Sequence, residues 1–148
     1  MEVKNLFDQG VKQDIVDRIN KLTPGTQSLW GKMNVEQMLA HAQRPIGVAF
    51  GTHQLKGNVL IKVIAPFFKS VLYNEKPYKH GLPTDKSYIV TDQKNFEIER
   101  NKLIDMLEQF NEENITTNVH PVFGKLTKEQ LSKATWKHLD HHLQQFGV

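Results

Sequence analysis

The chain has 148 residues, 39% of them apolar and 24% charged, with a formal net charge of +3 and no cysteine. That size and balance exclude a disordered tract and suit one domain, residues 1–148, with a core of its own. The missing cysteine excludes disulfides, thiolate metal sites and a cysteine nucleophile, so any metal ligand must be His, Asp or Glu.

The opening "MEVKNLFDQG" has no apolar signal core. The most apolar stretch, "NVLIKVIAPFFKSVL", is interrupted by Lys62, Pro66 and Lys69 and is too short to span a bilayer. Lysines are spread along the chain, and no helix carries a basic stripe suited to a nucleic acid. The expectation is a cytoplasmic protein with no membrane and no nucleic-acid partner.

Leu6, Val11, Ile15, Ile19 and Leu22 fall at spacings of three to five, which predicts an amphipathic helix over about 5–22, ended by "TPGTQ". Asn34 with Gln37 reads as a capping box opening a second helix, whose inner face is Val35, Met38, Leu39, Ala42, Ile46 and Ala49. Pro45 is expected to kink or end its first half. Residues 56–74 read as a short, broken helical excursion around Pro66, and 75–91 as a long loop of the kind that often forms a lid. Phe96, Leu103, Met106, Leu107 and Phe110 mark a third helix over about 92–113. After the turn "HPVFGKL", Thr127 with Gln130 forms a second capping box opening the last helix. A short strand at "SYIV" is the one β candidate. The pattern predicts an all-α four-helix bundle with a crossover connection and a short helical insertion between helices 2 and 3.

On the last helix, Leu131, Ala134, Thr135, His138, His142 and Gln145 recur on one stripe. Four residues advance a helix by about 6 Å and turn it by about 40°, so His138 and His142 lie side by side facing inward. An i, i+4 pair suits two imidazoles sharing one divalent ion. A third ligand is needed, and His41 on the inner face of helix 2 is the best candidate. The alternative is a set of core histidines that satisfy buried hydrogen bonds in a non-catalytic ligand-binding or dimerisation module. Gln37, Gln145 and His120 are candidate pocket helpers, with His120 also suited to ordering the turn before Pro121. His53 and His80 sit in loops, and His141 lies at the edge of the stripe. Trp30 and Trp136 read as core anchors. No GxSxG, Gly-rich phosphate loop or HExxH is present.

"MNVEQMLAH" and "HLDHHLQQF", with the ending "HPVFGKLTKEQLSKATWKHLDHHLQQFG", resemble the DinB-like (DNA-damage-inducible) superfamily of metalloenzymes, and one small uncharacterised branch of it. The resemblance runs from about Trp30 to the end. It implies a four-helix bundle, often a homodimer, with a divalent ion held at His41, His138 and His142. It also implies similarity to thiol transferases in which the metal activates a low-molecular-weight thiol toward a small-molecule substrate. Imidazole donors favour Zn, Ni, Cu or Fe over Mg, with Zn or Ni expected here, and the reaction is expected to be thiol transfer to an electrophile or hydrolysis. Many relatives follow the last ligand with Arg-Gly-Gln. Here Leu143 and Gln144 replace the Arg-Gly and Gln145 keeps the glutamine, so that arginine is missing.

Overall fold

The computed structural model describes residues 1–55 and 63–148. Among these, four α-helices dominate: α1 (Gln9–Asn20), α2 (Val35–Ala49), α3 (Phe96–Glu108) and α4 (Lys128–Gln145). Two 3-10 helices, Ala65–Leu72 and Lys86–Tyr88, lie between α2 and α3. The early part of the expected excursion, 56–62, lies outside the described residues, and its later part is the first 3-10 helix.

The helix starts follow from their caps. Asp8 accepts from the Gly10 and Val11 amides at α1, and Asn95 accepts from Ile98 at α3. Both expected capping boxes form: Asn34 with Gln37 at α2, and Thr127 with Gln130 at α4. Pro45, however, neither ends nor divides α2, which runs through it to Ala49. Proline removes one i→i−4 hydrogen bond, and the buried apolar face on both sides of it outweighs that loss.

The chain is mostly helical rather than all-α. Val119–His120 and Gly124–Lys125 pair antiparallel, with His120 opposite Gly124. The local chemistry explains this small hairpin. Pro121 disfavours a helical His120, the His120 Nδ1 accepts from the Val122 and Phe123 amides at 3.2 Å each, and Gly124 turns the chain at φ +73. The strand expected at "SYIV" is absent. Asp85 accepts from the Ser87 amide at 2.8 Å, and Lys86–Tyr88 coils as a 3-10 turn instead.

One apolar core joins the four helices. Ile15 and Ile19 of α1, Met38, Leu39 and Ile46 of α2, Leu103 and Leu107 of α3, and Leu139 and Leu143 of α4 are buried together. α2 packs on α3 and α4, and α1 packs on the same two helices. Two polar ties set the position of α4. Arg18 of α1 donates to Asp140 at 2.8 Å and to the Val148 carbonyl at 3.0 Å. The Lys137 ammonium, on a side chain that is 1% exposed, donates to the Val71 and Asn74 carbonyls at 2.7 and 2.9 Å. Burial pulls the Lys137 pKa down to about 8. These bonds fasten the 71–74 segment over α4 one residue before His138.

Leu107→Ala should destabilise the protein by about 2–5 kcal/mol, because Leu107 is fully buried at the centre of this core. Ile98→Ala on the same helix, at a side chain 63% exposed, should change stability by less than about 0.5 kcal/mol. Urea melts of the two variants check the contrast.

Candidate metal centre

His41 projects from the inner face of α2, and His138 and His142 from the facing stripe of α4. Each offers one ring nitrogen such that these atoms all lie within 4.8 Å of one another. The His41 ring centroid is 4.9 Å from that of His138 and 4.6 Å from that of His142, and the two α4 rings are 4.6 Å apart. The sequence spacing thus brings the three candidate ligands into one cluster.

Hydrogen bonding decides the tautomers of two of them. The His41 Nδ1 lies 2.8 Å from the Tyr88 carbonyl, which can only accept, so Nδ1 carries the proton. The His142 Nδ1 lies 2.8 Å from the Gln145 Oε1. That amide is oriented by its own Nε2, which donates to the Trp30 carbonyl at 2.6 Å, so the His142 Nδ1 is also the donor. Both rings are left with bare Nε2 lone pairs. An outer oxygen acceptor on a ring N–H is the arrangement that orients metal-ligating histidines.

His138 differs. Its Nε2 is 3.0 Å from the His41 Nε2, and its Nδ1 is buried with no hydrogen-bond partner. Two bare lone pairs at 3.0 Å would repel, so one proton or one cation must lie between them. Two imidazole nitrogens bound tetrahedrally to one zinc at about 2.0–2.1 Å would stand about 3.3 Å apart. That pair needs an opening of only a few tenths of an ångström to accept such an ion, while the donor atoms of the full set spread over as much as 4.8 Å and must draw together around it.

The chain belongs to DUF1569, a family of proteins of unknown function. Its family model matches residues 6–147, a span that includes all three histidines and the Tyr88, Gln145 and Trp30 groups around them. No curated protein and no solved structure matches the chain.

The other candidates of this DUF1569 chain fall in different places. Gln145 is at the cluster, between His142 and Trp30. The Gln37 Oε1 accepts from the Asn34 amide at 3.1 Å in the α2 cap. The His120 Nδ1 is engaged in the hairpin turn. His141 borders the cluster, its ring 5.0 Å from His142. Trp136 is buried in the core, but Trp30 is a half-buried residue that stacks on His80 at 4.0 Å with an interplanar angle of 10°. Leu143 is 1% exposed in the core.

Three supports had no sequence signal of their own. Tyr88 contributes a backbone carbonyl, 47 positions from His41. Trp30 does the same for Gln145, and the Leu29 amide donates to the Gln145 carbonyl at 2.8 Å, so the 29–31 turn closes on the end of α4. Gly31 sits at φ +86, and a Cβ there would fall against the Gln145 Nε2. Glycine is thus required both by the backbone and by the approach of the glutamine.

Burial lowers all three imidazoles below their ordinary pKa, His142 to about 3 and His138 well below the usual value, with the neighbouring imidazoles acting in the same direction. Burial likewise lowers His41, against the opposing effect of the Tyr88 bond. The folded state therefore keeps these rings neutral at pH values where the unfolded chain protonates them. A depressed folded pKa contributes stability that is complete above the unfolded value near 6.5 and is lost as pH falls toward the folded value. The Tm of metal-free protein should fall as pH drops from about 6.5 to 5, a range in which Lys137, with a folded pKa of about 8, is already protonated in both states. His41→Leu should flatten part of that fall, as read by calorimetry across the same buffers.

Proposed function

We propose that this DUF1569 protein is a small metal-dependent enzyme of DinB-like, four-helix-bundle type with a crossover connection. His41, His138 and His142 hold one divalent ion, Zn or Ni in this reading, both within the range of metals that imidazole donors suit. The observation that carries this reading is the convergence of the three rings with the Nδ1 protons of His41 and His142 pinned to oxygen acceptors. The burial that keeps the rings neutral also removes proton competition at pH 7, which ligation requires.

A divalent ion in such a site supplies a Lewis acid that lowers the pKa of a water or thiol beside it. The chain's own groups supply the rest. The Tyr88 carbonyl and the Gln145 amide keep their rings oriented before any ligand arrives, so little reorganisation is needed. The Tyr88 ring stands edge-on to His41 at 5.8 Å and to His138 at 6.4 Å, and shields that side from water. The reading is completed by a small electrophilic substrate, attacked by a low-molecular-weight thiol or by water, in a cytoplasmic protein that forms a homodimer. No helix among the described residues is long and apolar enough to cross a membrane.

A second reading rests on the His41–His138 contact at 3.0 Å, which also serves as an imidazole–imidazole hydrogen bond. In that case the cluster is a structural polar network of a non-catalytic module. Metal binding separates the two. Untagged protein incubated with Zn²⁺ at pH 7.5 should carry about one ion per chain by elemental mass spectrometry, and His138→Ala should carry none. Gln145→Leu should keep the fold but weaken zinc affinity by about 10–100-fold, the usual cost of removing an outer partner of a ligating histidine. A chain that takes up no zinc or nickel leaves the structural network as the reading.

A further inference from the structure

The chain has three arginines, Arg18, Arg44 and Arg100. Two have acceptors: Arg18 donates to Asp140 and Val148, and Arg100 donates to Glu97 through its terminal nitrogen, although its Nε is buried without an acceptor. Arg44 makes no hydrogen bond and no ion pair among the described residues, although it is half-buried, and its Nε is fully buried without an acceptor. A guanidinium carries five donors, and taking it partly out of water without a partner costs stability. A buried unsatisfied donor in a folded chain calls for an explanation, and a ligand is one.

Its location points to what that ligand is. Arg44 follows His41 by three residues, so both side chains leave the same face of α2 about one turn apart. Burial is the main cause of the lowered pKa of His41 and of His53, and the Arg44 charge pushes both in the same direction. The cation therefore stands within Coulombic reach of both rings. Of the carboxylates nearby, Asp92 pairs with Lys94 at 2.8 Å while also feeling the Arg44 charge at longer range, and Asp85 caps the Lys86–Tyr88 turn. One turn further along the same face, Val48 borders an open pocket of about 360 Å³ walled also by His53, Leu55, Thr117 and Val119, although neither Arg44 nor the three histidines line it. That volume suits a small molecule.

We propose that Arg44 is the anion-recognition residue of the histidine centre and grips the carboxylate of a small substrate through its planar fork. This rests on the reading of His41, His138 and His142 as the reactive centre. One guanidinium matches one carboxylate charge. The planar carboxylate matches the guanidinium fork with two parallel bonds.

The test uses ¹⁵N-labelled full-length protein, metal-free and zinc-loaded, titrated with acetate and with inorganic phosphate at fixed ionic strength. The expected result is a saturable shift of the Arg44 Nε–H resonance with acetate, weaker with phosphate, and no such shift at Arg18 or Arg100. Read from the α2 amide shifts, acetate affinity should fall at least about ten-fold in Arg44→Met and less in Arg44→Lys, which keeps the charge but loses the fork. Arg44→Met should also keep or raise the Tm, because it removes a desolvated, unpaired charge. No saturable shift, tighter phosphate than acetate, or a lower Tm in Arg44→Met would overturn the proposal. If zinc fails to bind while acetate still saturates Arg44, the metal reading fails and the anion site stands. If zinc binds one per chain and acetate does not reach Arg44, the anion site alone fails.

Discussion

Three buried imidazoles whose ring nitrogens lie within 4.8 Å of one another cannot all be protonated, and they cannot all be bare. Their mutual position, His41 against His138 at 3.0 Å with His142 alongside, is the constraint on which the rest of the site depends. Burial forbids charging them. Two ring protons are therefore assigned outward, to the Tyr88 carbonyl and the Gln145 amide, and the remaining lone pairs are turned toward one another. A polar cluster of this kind is costly in a core unless a proton or a cation completes it.

The fold around the cluster acts as a clamp built from distant parts of the chain. α2 and α4 supply the rings. The segment after the first 3-10 helix is fastened to α4 by Lys137, and the same 63–91 stretch brings in the Tyr88 carbonyl. The 29–31 turn closes on the end of α4 from the other side and sets the Gln145 amide. The ion pair between Arg18 and Asp140 ties α1 to α4 two residues from both His138 and His142. The histidines are thus held by five separate segments of the chain, and their geometry is a property of the folded state rather than of one helix.

Much of this was readable from residue spacing alone. The capping boxes at Asn34 and Thr127 gave two helix starts correctly, because each motif satisfies orphan amides within four residues. The stripe of Leu131, Thr135, His138 and His142 faces inward as 3.6-residue periodicity requires. Readings that depended on a single breaker or a short run fared worse. Pro45 looked disruptive, yet an apolar face on both sides carries α2 through it. "SYIV" has β-forming side chains, yet the Asp85 cap closes a helical turn there. The supports of the site were the least readable. A backbone carbonyl at Tyr88 or Trp30 leaves no trace in side-chain type, and an arginine reveals its lack of a partner among the described residues only once the fold surrounds it.

The most direct measurement is X-ray absorption at the zinc edge on zinc-loaded protein. Three imidazoles on one ion predict a first shell of nitrogen at about 2.0–2.1 Å with the outer-ring scattering characteristic of imidazole, fitted best with three such ligands. A first shell of oxygen without imidazole scattering, or a fit with one ring, would contradict the account. The cluster would then be a structural network, with its His41–His138 proton in place of the ion.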